Sequence, residues 1–583
     1  MGDAVCAVAA LLLGAPIVLG ALRNVARGTY DLHELIALSV AAAFALEDFV
    51  TAGVLALLAT LGELVEHRTA LGARAAIEGL VRLAPPRARV IGPDGAEEER
   101  DATDVRPGER VRVRPGDRVP VDGAVVEGAS TLDEAAITGE SVPAEKGVGA
   151  AVFAGTTNLT GALVVEATRA GDDTTLARVR ALILAAEQAR TPVTRLIDRL
   201  VRSYLPISLM LAAVVLFLTR DPTRVIALLV VAGPSALVLA TPTAMVAALS
   251  AAARLGVLVK DPRDLELAAG LTRVVFDKTG TLTRGRLEAR RLVLADDAGD
   301  PARVLALAAG AAAGSSHPAA RAVVAVAAEA ALVAPPAEDL REAPGLGVAA
   351  RVDGHEVRLG RAALLEREGI APRALDPALE AAGHTLLLIA IDGRHAATLA
   401  LDDAARPQAR AALAALTGQG VRVGMLTGDR RQAAARVAAE VGVEDVVSEC
   451  LPEEKLEVVR RARAAGERVA VVGDGINDAP ALAAAHLGIA MGGGGADVAL
   501  ASARVALLTD DLSRVPFLVA LARRARATIA VNLAVAVATI VAGVTLAAAG
   551  AISPVVALVL HNAGDLAIVL NSARLVREGE ELG

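Results

Sequence analysis

Val274-Val275-Phe276-Asp277-Lys278-Thr279-Gly280-Thr281-Leu282-Thr283 is the stretch on which the reading of the fold turns. A short apolar run delivers a carboxylate, and a hydroxyl-rich turn with one glycine follows it. In α/β sheets ligands sit outside the carboxyl ends of the strands, so the pattern predicts a strand with Asp277 at its working end. A carboxylate held there can attack the γ-phosphorus of ATP and form an acyl phosphate, which splits one hard displacement into two easier ones. Gly280 lets the chain turn close to a phosphate, and the hydroxyls, that of Thr279 among them, can hydrogen-bond its oxygens.

Partners for such a carboxylate follow in order. Thr427-Gly428-Asp429 comes after the apolar strand 421–426, so the Thr427 hydroxyl and the amides of Gly428 and Asp429 can face the same phosphoryl group. Pro452-Glu453-Glu454-Lys455 supplies an ammonium, Lys455, where developing phosphate charge needs neutralising. The strand 469–472 leads into Gly473-Asp474-Gly475-Ile476-Asn477-Asp478. Asp474 and Asp478, at i and i+4, suit a Mg²⁺ site shared with substrate oxygens. Each motif alone is an ordinary turn. Together they resemble the catalytic residues of a haloacid-dehalogenase-like α/β core.

The 583-residue chain around this core is 54% hydrophobic yet 22% charged, a mixture that predicts membrane spans alternating with soluble domains. Trp is absent and aromatics are 1%, so no interfacial aromatic belt can be built and Ala, Leu and Val carry the apolar surface. A net charge of −8, without a basic patch rich in aromatics, gives no reason to expect nucleic-acid binding. Cys6 and Cys450 lie far apart and predict neither a disulfide framework nor a metal module.

Seven apolar stretches read as candidate spans: 4–22, 35–46, 49–62, 204–218, 225–249, 529–550 and 554–570. The first is a retained span rather than a cleaved signal peptide, because Met1-Gly2-Asp3 lacks a positive n-region. The second and third form a hairpin with Glu47-Asp48 at its tip, and an amphipathic helix runs from 63 to 83. Residues 87–170 alternate Val-rich runs with Gly and Pro turns, predicting strands at 88–91, 110–113, 123–127 and 161–167; a helix over 174–189 returns the chain to the membrane. The span at 225–249 carries Pro234 and Pro242. Basic residues such as Arg254, Arg523 and Arg574 flank spans on the side of the soluble blocks, as the positive-inside rule asks of a cytoplasmic face; Arg220 and Arg224 stand against the rule.

Asp277-Lys278-Thr279-Gly280-Thr281-Leu282-Thr283 resembles the phosphorylation signature of the P-type ATPases. Thr138-Gly139-Glu140-Ser141, preceded by Pro115-Gly116-Asp117 and Asp122-Gly123, resembles the actuator loop of that family, which implies that Glu140 positions water to hydrolyse the aspartyl phosphate. Ser316-His317-Pro318 and Gly345-Leu346-Gly347-Val348 resemble the nucleotide signatures of its heavy-metal, CPx-type branch, implying that His317, Gly345 and Gly347 meet ATP. A His-Pro before a helix is, outside that context, more often a cap. Ser316 stands where the branch has Glu, and Gly360-Arg361 where it has Gly-Asn. The resemblance implies a multi-domain α-helical membrane protein in the plasma (inner) membrane. Spans would occupy 1–83, 191–260 and 523–583, with a β actuator domain over 84–190. An α/β phosphorylation domain would take 261–285 and 401–522, and an α+β nucleotide-binding domain 286–400.

In that branch the broken span reads Cys-Pro-Cys or Ser-Pro-Cys; here it reads Gly233-Pro234-Ser235-Ala236-Leu237-Val238-Leu239-Ala240-Thr241-Pro242. Mid-helix proline costs roughly 3 kcal/mol and frees a carbonyl, and freed carbonyls beside a cavity are good cation ligands. The last span carries His561-Asn562-Ala563-Gly564-Asp565, placing His561 and Asp565 on one helix face. A carboxylate at mid-bilayer depth costs roughly 2.5–3.5 kcal/mol, so a functional role is the default; a self-neutralising His–Asp pair is the alternative. Ser235, His561 and Asp565 without a thiolate favour Zn²⁺, Co²⁺ or Mn²⁺ over Cu⁺. Asn532 lies where the family has a polar residue. The expected partners are a transition-metal cation and membrane lipid, with ATP as substrate and Mg²⁺ as cofactor; no metal chaperone is assigned. The rivals are a Cu-type pump, a membrane-anchored phosphatase, a non-pumping sensor and the potassium-pump branch. The family usually has eight spans and often an N-terminal metal-binding domain, neither of which is read here.

Overall fold

The computed structural model describes residues 2–26, 34–62, 64, 85, 87–134, 143–174, 177, 192–295, 298–315, 317–343, 346–371, 379, 384–474, 478–491 and 503–580. The helices expected at 63–83 and 174–189 fall almost wholly outside these residues, as do Glu140, Ser316 and Gly345. The chain forms two compact bodies: Met1–Gly270 with Phe517–Gly583, and Leu271–Pro516.

The first body holds the apolar helices α1 (Gly2–Ala26), α2 (Glu34–Ala45), α3 (Phe49–Gly62), α4 (Pro192–Thr219), α5 (Pro222–Val231), α6 (Ser235–Arg254), α7 (Arg514–Ala549) and α8 (Pro554–Ala573). Four helical stretches are long and apolar enough to cross a membrane: Val5–Asn24, Pro222–Arg254, Arg514–Ala549 and Pro554–Arg577. The other three expected spans are shorter apolar helices, α2, α3 and Tyr204–Thr219. Between α2 and α3 the acidic pair cuts the apolar run, and the Asp48 carboxylate accepts the Thr51 amide at 3.0 Å as α3 begins.

The expected span at 225–249 is two helices. Helix α5 starts on the Asp221 cap with Pro222 in its first turn. It stops where the Ala232 amide reaches Leu228 O, and the amides of Leu237 and Val238 then both take Pro234 O to start α6. Pro234 has no amide to continue the ladder, so the chain breaks there, whereas Pro242 is carried inside α6. This broken stretch is the centre of the bundle: 67% of its most apolar window is buried, against 11% for α1. The arginines that oppose the charge rule are both occupied. Arg224 holds Asp221 at 3.1 Å and donates to Ala548 O at 3.4 Å, capping the end of α7, while Arg220 lies 5.6 Å from the centre of the Phe217 ring.

The same body carries an antiparallel sheet whose strands lie in the order Glu97–Asp101, Arg87–Ile91, Arg110–Val113, Leu163–Arg169, Asp122–Glu127 and Ala151–Val152. Val111, Val113, Val125, Leu163 and Val165 fill its core. The Glu97–Asp101 strand, Glu-Glu-Glu-Arg-Asp, has no apolar alternation to predict it; it is a charged edge of the kind that discourages pairing between molecules. The strand expected at 161–167 begins at Leu163, because Gly161 is in a turn whose amide donates to Ser130 Oγ at 2.7 Å.

In the second body the strands β1 (Arg273–Asp277), β2 (Thr283–Leu294), β3 (Arg394–Ala405), β4 (Arg422–Leu426), β5 (Asp445–Val447), β6 (Val469–Gly473), β7 (Leu487–Met491) and β8 (Val505–Leu507) divide into two sheets. One is parallel, in the order β8-β7-β6-β1-β4-β5, with every residue of β6 buried between covering layers. The other is antiparallel and inserted after β1: β2 and β3 pair along their length, followed by Thr385–Ile391, His355–Gly360, Gly347–Val352 and Ala337–Ala343. Helices Pro301–Ala312 and Pro318–Glu329 cover that sheet.

Helices α7 and α5 approach closely at Gly543, where a Cβ would lie 2.2 Å from Val231 Cγ2. Gly543→Val is expected to cost roughly 1–3 kcal/mol through overpacking. The check is the thermal unfolding midpoint of the detergent-purified chain; an unchanged midpoint would separate the two helices.

Candidate functional site

Strand β1 ends on Asp277, whose residue is 8% exposed. The next five residues form a tight turn in which Thr279 is exposed and non-helical, and Gly280 takes φ 75°, a conformation costly for any residue with a Cβ. Lys455 comes from the first turn of the helix Pro452–Ala464. Its Nζ lies 2.5 Å from Asp277 Oδ1 and 2.7 Å from Asp478 Oδ1. Thr427 stands at the end of β4, next to β1 in the sheet; it is 2% exposed and its Oγ1 accepts the Asp429 amide at 3.1 Å. Asp429 forms an ion pair with Lys278. Gly428 approaches Cys450 O so closely that a Cβ would lie 3.2 Å from it. Asp474 follows β6, with Oδ2 3.5 Å from the place a Cβ on Gly280 would take. The structure thus gathers Asp277, Thr427, Gly428, Asp429, Lys455, Asp474 and Asp478 at one end of the parallel sheet.

Burial pushes the Asp277 carboxyl up to about 7, and the neighbouring Asp478 charge adds to the shift while Lys455 opposes it. Asp478 is pushed up for the same leading reason. Burial works against the Lys455 ammonium, but Asp277 and Asp478 outweigh it and hold its value above the ordinary one. The cluster is short of positive charge. Asp478 Oδ2 is buried with no hydrogen-bond partner among the described residues. An orphaned carboxylate oxygen beside two further carboxylates is a donor set that fits a hard divalent cation such as Mg²⁺.

Arg406 and Asp403, which motif reading passed over, hold the turn in place together with Thr283 of the motif. Arg406, just beyond β3, donates from Nε to Thr281 O at 2.9 Å and from Nη2 to Gly280 O at 3.0 Å, and pairs with Asp510 at 3.2 Å. Thr283 Oγ1 lies 2.9 Å from Lys278 O and 2.5 Å from Asp403 Oδ2. The only trace in the sequence is a pair of charges, Asp403 and Arg406, at the end of an apolar strand.

In the inserted domain His317 is the cap of its helix: Nδ1 accepts the Ala319 amide at 3.2 Å, the alternative weighed from sequence, and its second ring nitrogen is not part of that cap. Gly347 pairs with Gly360 across two strands, and a Cβ there would lie 2.1 Å from Leu359 O.

In the helical body, Ser235, the first residue of α6, meets His561 and Asp565 of α8. Ser235 Oγ lies 3.1 Å from His561 Nε2 and donates to Asp565, whose oxygens are 2.8 and 3.0 Å away; His561 Nε2 and Asp565 Oδ2 are 3.6 Å apart. Gly233 makes room for the ring, since a Cβ there would lie 2.7 Å from His561 Cε1. Asn562, one residue on, turns to α3 and donates to Leu58 O at 3.2 Å. At Ser235 the described His, Cys, Asp and Glu side chains are two, His561 and Asp565, short of a group of three, so a cation here depends on hydroxyl or carbonyl oxygens as well.

A buried acid–lysine cluster on a parallel sheet, in a chain that also crosses a membrane, defines a membrane-embedded phosphoryl-transfer enzyme. Residues 82–184 match the P-type ATPase actuator domain and residues 272–486 match the haloacid dehalogenase-like hydrolases. A manganese-exporting P-type ATPase of Mycobacterium tuberculosis is 38% identical, over 97% of this chain and 81% of that protein. A zinc-exporting P-type ATPase of Mycobacterium marinum is 38% identical, over 97% and 79%. A probable copper-exporting P-type ATPase of Mycobacterium tuberculosis is also 38% identical, over 97% and 76%. Among solved structures, a zinc-transporting PIB-type ATPase in the E2.Pi state is similar with a TM-score of 0.60 and 33% identity, covering 99% of this chain and 95% of that one. The chain belongs to the heavy-metal-transporting branch of the P-type ATPases, with Gly-Pro-Ser in the broken helix.

The raised Asp277 carboxyl has a consequence for stability. Between the unfolded value of about 3.9 and the folded value of about 7 the native state holds a proton that the unfolded chain has released. Stability therefore falls as pH rises through that window. Asp277→Asn removes the term, so in Mg²⁺-free buffer its melting temperature is expected to exceed wild type by a margin that grows from pH 5 to pH 8. Each kcal/mol released is worth roughly 2–4 °C. A constant margin would place the carboxyl at its ordinary value.

Proposed function

We propose that this ATPase exports a divalent transition-metal ion of the Zn²⁺, Co²⁺ or Mn²⁺ class across the plasma membrane, with Asp277 as the residue phosphorylated. The observation that carries the ion class is the Ser235–His561–Asp565 cluster: hydroxyl, imidazole and carboxylate, with no thiolate, favour harder ions than Cu⁺. The names of the manganese- and zinc-exporting relatives support the same class.

In this reading an ion reaching the cluster takes the oxygens now joined by the Ser235–Asp565 hydrogen bonds, and the neutral imidazole of His561 adds one nitrogen. At the sheet, Asp277 in its ionised form attacks the γ-phosphorus of ATP; the bond from that phosphorus to the bridging oxygen breaks and ADP leaves. Lys455 neutralises charge developing on the phosphoryl oxygens, and Thr427, Thr279 and the amides of Gly428 and Asp429 hydrogen-bond them. Asp277, Asp474 and Asp478 would hold Mg²⁺, which supplies charge neutralisation when bound. His317, Gly345 and Gly347 line the nucleotide, and Glu140 orients the water that hydrolyses the aspartyl phosphate.

The test is phosphoenzyme formation from γ-labelled ATP in purified membranes, across Mn²⁺, Co²⁺, Zn²⁺ and Cu⁺. Acid-stable label stimulated by one of the divalent ions and absent in Asp277→Asn is expected. Lys455→Met should slow labelling by roughly 10²–10³-fold, the cost of one electrostatic stabiliser. Asp565→Asn should raise the ion concentration needed at least tenfold, about 1.4 kcal/mol of ligand energy. Label surviving in Asp277→Asn, or best stimulation by Cu⁺, would overturn the reading.

A further inference from the structure

Two acidic residues stand side by side near the end of β3, Asp402 and Asp403, and a strand turns successive side chains to opposite faces. Asp403 meets the turn after Asp277: Thr283 Oγ1 lies 2.5 Å from its Oδ2 and 2.9 Å from Lys278 O. Asp402 takes the other face and is 4% exposed. Its Oδ1 lies 2.8 Å from Arg436 Nη2 and 2.8 Å from His384 Nδ1, and its Oδ2 lies 3.9 Å from Arg290 Nε. His384 precedes the strand Thr385–Ile391 and Arg290 lies on β2, both in the inserted sheet. Arg436 comes from the core, from the helix Arg431–Val441.

That helix starts two residues after Thr427-Gly428-Asp429, the loop that faces Asp277 at the end of the sheet. The β1–β4 ladder ends with Asp277 opposite Leu426, so the loop runs on past the last pairing with the strand that carries Asp277. Its backbone is held from the β5 side. The Thr427 amide donates to Val447 O at 3.0 Å, the Cys450 amide to Thr427 O at 3.0 Å and the Glu449 amide to Asp429 O at 2.9 Å. Toward the turn of Asp277 the loop has the Lys278–Asp429 ion pair, whose carboxylate is 41% exposed. An ion pair open to water holds a geometry weakly.

The Asp402–Arg436 pair is of the other kind. Its carboxylate is almost out of water, and a buried charge left without its partner is costly, so the pair fixes the distance between helix and strand. It closes a ring of contacts. From the turn of Asp277 the ring passes through Lys278 and Asp429 into the helix and crosses from Arg436 to Asp402. It then steps one residue to Asp403 and returns through Thr283 to Lys278. Apolar packing also seats the helix, with Ala434, Val437, Ala438 and Val441 as its buried side. Such packing is non-directional. A guanidinium bonded to one carboxylate oxygen sets a register along the helix axis.

We infer that Arg436 is a positioning residue for phosphoryl transfer. Bonded to Asp402, it sets the helix Arg431–Val441 against β3. Through the start of that helix it sets the Thr427 hydroxyl and the amides of Gly428 and Asp429 at the distance from Asp277 that the transferred group needs. The inference rests on the reading above, in which Asp277 is phosphorylated and residues 427–429 hydrogen-bond the phosphoryl oxygens. It adds that one strand, β3, indexes both halves of that site: Asp403 the half that carries the nucleophile, Asp402 the half that receives the oxygens.

The measurement is the rate of phosphoenzyme formation from γ-labelled ATP in the full chain, over a range of ATP and well below the melting temperature of each variant. Arg436→Met keeps a long side chain and removes the guanidinium. It is expected to lower the rate at saturating ATP roughly tenfold, the scale of a small misplacement made at a distance, with the half-saturating ATP concentration within about twofold of wild type. Arg436→Lys, which keeps the charge, recovers most of that loss. Asp402→Asn is slow as well, and the double variant Asp402→Asn/Arg436→Met is no slower than the slower single one, since both remove the same contact. An Arg436→Met chain that melts lower yet labels at the wild-type rate overturns the inference and leaves a structural contact only. So does a change confined to the ATP requirement, which would place the effect on nucleotide binding, and so does a loss that Arg436→Lys fails to recover. Wild type that takes no label from ATP, or label that survives in Asp277→Asn, defeats the phosphorylation reading instead, and the inference falls with it.

Discussion

Two carboxylates on one ammonium are the constraint around which the catalytic body is arranged. Asp277 and Asp478 are both buried, and Lys455 is the cation shared between them. Bringing the three within hydrogen-bonding reach requires β1 and β6 to be neighbours, so that Asp277 and the segment after β6 open at the same end. It also requires the Pro452–Ala464 helix to begin there. A parallel sheet meets this demand directly, because every strand ends on the same side. Burial first, and the neighbouring carboxylates second, hold both aspartates above their ordinary values.

The inserted domain hangs from the same place. Its first strand, β2, leaves directly from the turn after Asp277, and its last, β3, returns to Arg406, whose guanidinium grips two carbonyls of that turn. The connection is therefore not a loose tether: both chain crossings are bonded to the segment that carries Asp277. Thr283 and Asp403 add a second bond across the same pair of strands. The insertion is thereby bonded to the backbone around Asp277 at both of its ends.

Much of this was legible beforehand, for a physical reason. Strand-end carboxylates, glycine turns and proline breaks are local patterns, and local patterns survive in a sequence without its fold. Asp277, Thr427, Lys455, Asp474 and Asp478 were readable in that way, as were Ser235, His561 and Asp565. What was not legible was of two kinds. The Glu97–Asp101 strand has no alternation to detect, since a charged edge gains its shape from its neighbour. Arg406 and the Asn532–Ser572 contact join positions far apart in the chain, and no local spacing announces them. The break at Pro234 rather than Pro242 was undetermined for a similar reason, because both prolines carry the same intrinsic penalty and tertiary packing decides which is accommodated.

The broken helix has a mechanical meaning as well as a chemical one. A continuous helix transmits a push along its axis like a rod, because each turn is bonded to the next. Between Leu228 and Leu237 that ladder is interrupted, and the gap lies at the level of Ser235, in the most buried of the long apolar segments. The two halves, α5 and α6, can thus tilt about a joint set in the middle of the bundle. Ser235, whose hydroxyl meets His561 and Asp565, is the first residue on one side of that joint. A small swing of either arm moves the side chains at the fulcrum least, so the Ser235–His561–Asp565 cluster keeps its spacing while the far ends of the arms travel furthest.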